Sequence, residues 1–586
     1  DIDLSRGFKF TTSGMYITDN STQEILRNKQ SYYVRDLFNR FTQYDAGTGK
    51  LINHLPDGAI KDVAHHRSTS YTFRNVLNYN FNNDLWSASA MIGCEMFAIR
   101  TQMETDTFYG YDPQGLTFNT TMNFKDLVTT GVTGFSPSAG RQKLSYNPQH
   151  GDAEDRYFST FFTGNVSYAD RYVLFGSVRY DKTNLYGRSG KYRDQPTWSI
   201  GGKWNVSSES FFEVPVINQL GIKLSYGLSG NIDKSTSPYL IAENTRDVRT
   251  GLPVLNIRNP ENKELGWEKV YTFNAGVNLG LFDDRLNLTV DYYNRKTEDA
   301  LGFSMMDPTS GWSSVKKNTA SLFNRGVDLS VGGYPVSTKE VRWNTSLTFS
   351  YNYNEVTKVN SGVTTPQSVL SGNPVEGKPV DYLFYYRAGK LTAEGAPTIL
   401  DNAGHELAWN SSVQVEDMRF GRKSPQIFGA WSNTVSCKGF DLSMMFTYKM
   451  KYEVRMPSVA GSYGSYKTFD QRWRKPGDEE NTWVPKPLHG SFNYTFQNVV
   501  DGSDKQLEKG NMIRLKSVGL AYDFKRLVKT DVLSALSLKF SVENPWFWAS
   551  NRDGLDVDRL YESTNSTVFY SGKQPTYYTF TLNVKF

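Results

Sequence analysis

Residues 577–586 read YYTFTLNVKF, and the alternation within them points directly to a fold. Tyr578, Phe580, Leu582, Val584 and Phe586 take every second position, while Tyr577, Thr579, Thr581, Asn583 and Lys585 fill the others. Side chains alternate across a β-strand, so one face is apolar and the other polar. Such a strand suits lipid on one side and water on the other. A half-exposed strand of a soluble sandwich alternates in the same way, so one strand does not discriminate.

Several do. Leu536, Leu538, Phe540 and Val542 alternate with Ser537, Lys539, Ser541 and Glu543. Leu286, Leu288, Val290 and Tyr292 alternate with Arg285, Asn287, Thr289 and Asp291. Phe440, Leu442, Met444, Phe446 and Tyr448 repeat the pattern. Charge is confined to one phase, as a lipid-clad strand requires. One segment changes phase: Ile513 and Leu515 are followed by Val518, Leu520, Tyr522 and Phe524, which predicts a β-bulge near Ser517.

Connection lengths add a second signal. Short links at Ala169-Asp170, Asp283-Asp284, Pro335 to Lys339 and Ser436 to Lys438 interleave with very long ones. Outer-membrane barrels have short periplasmic turns and long extracellular loops. Counting back from Phe586 gives sixteen strands, near 8–18, 66–81, 85–100, 155–168, 171–182, 195–206, 218–229, 266–281, 285–299, 318–335, 340–356, 422–436, 439–452, 510–523, 533–546 and 573–586. The expected fold is all-β, a transmembrane antiparallel β-barrel, with one domain over 1–586. Its long extracellular loops are expected at about 19–65, 101–154, 230–265, 357–421, 453–510 and 547–572.

Composition agrees. Of 586 residues, 14% are aromatic, including 36 Tyr and 36 Phe, which suits aromatic girdles at two membrane interfaces. The mean hydropathy is −0.53. No stretch approaches the roughly 20 apolar residues of a membrane-spanning helix. A net charge of +5, from 65 basic and 60 acidic residues, is too balanced for a nucleic-acid partner. Cys94 and Cys437 form neither a disulfide framework nor a metal spacing. Residues 1–10 lack the apolar core of a signal peptide, so the sequence is expected to start downstream of the gene's beginning.

Several segments resemble the SusC/RagA family of TonB-dependent transporters from Bacteroidetes outer membranes. The clearest is DRYFSTFFTGNVSYADRYVLFGSVRYDKTNLYGR, Asp155 to Arg188. GIKLSYGLSGN (Gly221 to Asn231) and NPENKELGWEKVYTFNAGVNLGLFDDRLNLTVDYYNRKTEDAL (Asn259 to Leu301) follow. NRGVDLSV (Asn324 to Val331), KGFDLSMMFTY (Lys438 to Tyr448), RWRKPGD (Arg472 to Asp478) and SVENPWFWASNRDGLDVD (Ser541 to Asp558) complete the series. Val557 stands where the family usually has proline, and Glu543 where it has glutamine.

The resemblance implies active import of a large nutrient, a glycan oligosaccharide or an oligopeptide, across the bacterial outer membrane. It also implies a SusD-like lipoprotein lid and energy from TonB–ExbB–ExbD through an N-terminal region absent here. Family members close about 22 strands around a plug. The plug and six strands are therefore expected upstream or on another chain. The alternative is a passive 16-stranded porin, which the long loops and the motif series disfavour.

No residue pattern points to an enzyme. His65 and His66 point to opposite faces of a strand, and the remaining histidines, at 54, 150, 405 and 489, are scattered. No cofactor is expected, although Asp401, Asn402 and Glu406, with Asp478, Glu479 and Glu480, offer oxygen ligands of the kind Ca²⁺ takes. Candidate substrate contacts are the aromatics of the long loops, Trp312, Trp409, Trp483, Trp546 and Trp548, with Trp473 beside them. Their rings suit stacking on sugars or holding peptide side chains. Packing of the loops themselves, or a place in the membrane belt, is the more ordinary account of each.

Overall fold

The computed structural model describes all residues except 6, 46, 134–140, 147, 186–195, 232–236, 247–251, 313, 360–363, 367–368, 370–371, 458–469, 487–493, 529–531 and 563–567. The sixteen expected strands are all present. They are β1 (Phe8–Arg27), β2 (Ala59–Asn82), β3 (Trp86–Tyr111), β4 (Gln149–Tyr168), β5 (Tyr172–Thr183), β6 (Thr197–Asn205), β7 (Ile217–Asn231) and β8 (Glu268–Leu281). Then come β9 (Leu286–Met305), β10 (Ser314–Ser337), β11 (Val341–Lys358), β12 (Ile427–Cys437), β13 (Phe440–Met450), β14 (Met512–Asp523), β15 (Ala535–Ala549) and β16 (Tyr577–Lys585). No described helix is long and apolar enough to cross a membrane.

The chain divides into two compact units, one of Asp1–Tyr79, Met91–Phe162 and Arg179–Leu185, the other of the remaining residues. In the first unit β1 pairs antiparallel with β2 from Phe8↔Tyr79 to Arg27↔Ile60. Both strands run well beyond the expected 8–18 and 66–81. Residues 19–27 and 59–65, expected as loop, are therefore strand, as are 101–111 and 149–154 at the ends of β3 and β4. The reason is that apolar alternation marks only the lipid-crossing part. Backbone pairing continues into polar sequence such as DNSTQEILR, where Thr and Ile still favour extended backbone. What remains of the first loop is the helix α1 (Tyr32–Arg40), capped by Ser31, and a hairpin pairing Thr42–Asp45 with Lys50–Asn53. Val34, Leu37, Phe41, Leu55, Ile60 and Tyr109 pack them into a small apolar core.

In the second unit β6 to β16 form an antiparallel meander, each strand paired to the next. The register sorts side chains by polarity across all of them. Leu582, Leu538, Tyr522 and Phe440 are successive cross-strand neighbours, as are Phe580, Phe540, Leu520 and Leu442. The opposite face carries Thr581, Lys539, Ala521 and Asp441. Further along, Leu279, Leu288, Val331 and Leu347 share the apolar face. The polar face there holds Lys223 and Asp291, which form a 2.8 Å ion pair by reaching across Gly276 of β8. A Cβ on Gly276 would fall 2.2 Å from atoms of both side chains, so any other residue there would force the pair to shift.

The predicted bulge is present. Leu515 pairs with Phe446 and Ser517 with Met445, leaving Lys516 as the extra residue of β14. Two of the short links are tight turns of left-handed backbone, with φ of 52° and 54° at Ala169-Asp170, and 56° and 61° at Asp283-Asp284. Hairpin turns of this hand match the twist of the strands they join.

Leu582→Arg, at the middle of β16 on the apolar face, should destabilise the liposome-inserted protein by about 2–4 kcal/mol, and Thr581→Arg by less than about 1. Urea unfolding from liposomes measures both. Equal costs would contradict the assignment of faces.

Candidate functional site

The connections β11–β12, β13–β14 and β15–β16 together build a body with its own secondary structure. Tyr382–Tyr386 pairs with Met418–Arg422, and Glu453–Arg455 with Leu507–Lys509. Ala388–Leu391, Pro397–Leu400 and Glu406–Ala408 form a three-stranded sheet. The helix α2 (Tyr494–Asp501) contributes Val499 to an apolar core with Val369, Phe384, Tyr386, Ile399 and Met418. Arg455, 4% exposed, pins the helix end to this core. Its guanidinium donates to the Asp501 carbonyl at 2.8 Å and the Phe384 carbonyl at 2.7 Å. Burial pushes the Tyr382 hydroxyl up to about 12 and raises Tyr386 as well, and it also raises the Glu453 carboxyl.

One small pocket opens in this body. Tyr386, Leu391, Pro397, Ile399, Trp483 and Val499 supply most of its wall, and Thr398 and Ser503 its hydroxyls. The lining suits an apolar group rather than a sugar.

Of the five candidate tryptophans, Trp483 alone lines this pocket, with Arg552 5.5 Å over its ring. Trp409 packs edge-on against Phe496 at 5.4 Å and belongs to the core. Trp473 donates to Glu479 at 2.9 Å, and its ring covers Gly395. Trp312 lies on the β9–β10 connection, its backbone N–H 3.4 Å from the Ser310 hydroxyl. Trp546 and Trp548 correct the loop expectation. Both sit on β15, opposite Leu515 and Ile513, on the apolar face and 51% and 45% exposed. Alternation carries them outward with Phe540, which is a place for belt residues.

The acidic oxygens weighed for Ca²⁺ are engaged otherwise. Asp401 closes the hairpin turn by accepting from the His405 backbone N–H at 2.8 Å, which holds its carboxyl below the usual range. Asp478 accepts from the backbone of Arg474 and Lys475, Glu406 from that of Lys390, and Glu480 pairs with Lys390. Among the described residues no cluster of carboxylates, histidines or cysteines suits a metal. His489 lies outside the described residues.

The residues that hold this region together come from the motifs instead. Glu268 accepts from the Asn231 side chain at 2.9 Å and from the Leu301 backbone at 2.9 Å, joining two of the quoted segments. Its neighbour Trp267 lies on Gly230, where a Cβ would stand 2.5 Å from the ring. In the GLDVD segment Asp556 is wholly buried and paired with Arg514, itself 3% exposed. Asp558 bridges Arg514 at 3.2 Å and Lys449 at 2.6 Å, and the Gln574 backbone donates to Asp556 at 3.0 Å. The β15–β16 connection is thereby bound to β13 and β14. Arg514 reaches this side because the Lys516 bulge flips the parity of β14. A lone arginine among alternating apolar residues just beyond a phase change was the available signal, and sequence reading passed over it.

A family model described as "TonB dependent receptor-like, beta-barrel" matches residues 3–448. The chain belongs to that family. It is an outer-membrane β-barrel of the TonB-dependent receptor type, related to SusC. SusC of Bacteroides thetaiotaomicron is 24% identical over 466 residues, covering 72% of this chain and 44% of its own length. TonB-dependent receptor P39 of Formosa agariphila is 24% identical over 576 residues, covering 83% of this chain and 54% of its own. The chain thus spans about half the length of the curated relatives it matches. The RagAB peptide transporter structure superposes with a TM-score of 0.71 at 22% identity, over 94% of this chain and 57% of that one. This likeness concerns the fold.

Asp556→Ala should destabilise this TonB-dependent receptor barrel by about 3 kcal/mol, because buried Arg514 loses its fully buried partner and keeps only the longer contact to Asp558. Thermal unfolding and proteolysis between 551 and 576 would register it. Replacing both partners, as in Asp556→Leu with Arg514→Met, should recover much of the loss. A cost below about 1 kcal/mol for the single change would show that the pair does not hold the connection.

Proposed function

We propose that this chain is the barrel portion of a SusC-like TonB-dependent importer of a large nutrient, a glycan oligosaccharide or an oligopeptide. The observation that carries the reading is the family match over 3–448 together with the alignment to SusC. In this reading the long connections are extracellular, and the body around α2 meets a SusD-like surface lipoprotein. Energy comes from TonB–ExbB–ExbD through a region outside this chain, which with a plug and further strands completes the transporter. The chain catalyses no reaction. Its work is to bind and pass a substrate, and the buried cores and ion pairs of its loops give the preorganised surface that such binding needs.

Deleting the gene should abolish growth on one class of oligomer, and a proton uncoupler should stop uptake of that labelled oligomer in the parent strain. Mild-detergent purification should recover the lipoprotein with the barrel. Uptake that persists with the uncoupler present would favour the passive porin instead.

A further inference from the structure

The apolar face of β8 to β11 ends on a group of cations that import does not require. On β11 the positions of this face run from Val341 through Trp343, Thr345, Leu347 and Phe349 to Tyr351. Their span, 341–351, matches the roughly 9–11 residues a tilted strand needs to cross the hydrocarbon. The next position on the same face is Tyr353, opposite Arg325 of β10, which is opposite Asn294 of β9. One rung further stand Glu355, Phe323, Lys296 and Tyr271. These residues therefore stand at the level of lipid headgroups, on the lipid side, at the strand ends away from the short turns.

Arg325 is exposed, and among the described residues no carboxylate pairs with it. Its guanidinium lies beside the stacked pair of Phe323 and Tyr353, 5.4 Å from the first ring centroid and 5.3 Å from the second. Arg422, at the end of Met418–Arg422, lies 4.3 Å from the same Tyr353 ring and donates to the Asn354 carbonyl at 3.2 Å. The two nearby carboxylates have other partners: Glu298 pairs with Lys296 at 2.7 Å, and Glu355 accepts from the Tyr353 hydroxyl at 2.6 Å. Two guanidiniums are thus held on one aromatic ring at the membrane surface, with donors left over.

We propose that Arg325 and Arg422, framed by Phe323 and Tyr353, form a binding site for the phosphate of a lipid headgroup. A guanidinium offers parallel N–H donors that match phosphate oxygens, and the rings hold both forks in place before the lipid arrives. Tyr292 and Tyr351, one rung lower, supply the amphipathic surface on which the upper acyl chain rests. The inference rests on these strands crossing the bilayer, which liposome insertion tests separately.

The test is native mass spectrometry of the purified full-length protein, titrated with dioleoyl phosphatidic acid or dioleoylglycerol. The wild type should retain the phosphate-bearing lipid and not the neutral one. Arg325→Gln and Arg422→Gln should each weaken retention about fivefold, and the double variant more than tenfold. Lys539→Gln, on the polar face, should leave retention unchanged, and heat-modified gel mobility confirms that every variant is folded. Equal retention of the two lipids, a double variant that binds as the wild type does, or a Lys539→Gln protein that loses as much as the double variant would each overturn the proposal. Inorganic phosphate that displaces the lipid at equimolar concentration would also overturn it, because the ligand would then be the free anion.

Discussion

Hydrocarbon supplies no hydrogen-bond partner, so backbone amides and carbonyls within it must satisfy one another. Much of the architecture follows from that requirement. A β-strand meets it only by pairing, and β6 to β16 pair without interruption through register-matched ladders. With the ladder fixed, each side chain has only two directions open to it. Charges such as Lys539 and Asp291 then share one face, and Leu538, Phe540 and Leu582 the other. The left-handed turns at Ala169-Asp170 and Asp283-Asp284 serve the same end, reversing the chain without opening the ladder.

Where the chain leaves that environment, the rules become those of a water-soluble domain. The connections fold around apolar cores, α1 takes a serine cap, and α2 has its end carbonyl held by a buried arginine. Charges appear in the interior here, and the most deeply buried of them, Arg455, Arg514 and Asp556, have partners. Asp556 and Arg514 illustrate why: Asp556 without Arg514 would be a wholly buried carboxylate with no cation beside it.

This division explains what could be read in advance. Alternation located all sixteen strands and the phase change at Lys516, because a lipid-facing strand permits little other than strict period two. It understated β1 to β4, whose outer portions pair in water, where polar residues on both faces cost nothing. The tryptophans were harder. Composition marks them as amphipathic surface without saying which surface, so Trp483 beside a pocket, Trp409 in a core and Trp548 on the apolar face look alike in sequence. Family motifs pointed to the right places for an architectural reason: Asn231, Trp267, Glu268 and Asp556 are ties between segments far apart in the chain.

The single extra residue at Lys516 divides β14 into two reading frames. Below it, even-numbered residues such as Val518 and Leu520 face the apolar side; above it, the odd-numbered Leu515 and Ile513 do. The strand therefore cannot be treated as an interchangeable stave. A chimera that kept Arg514 to Lys516 but joined them to an unbulged neighbour would turn Arg514 toward the lipid and Leu515 toward Asp556. Grafts onto this scaffold have to be cut on one side of that frameshift or carry it with them.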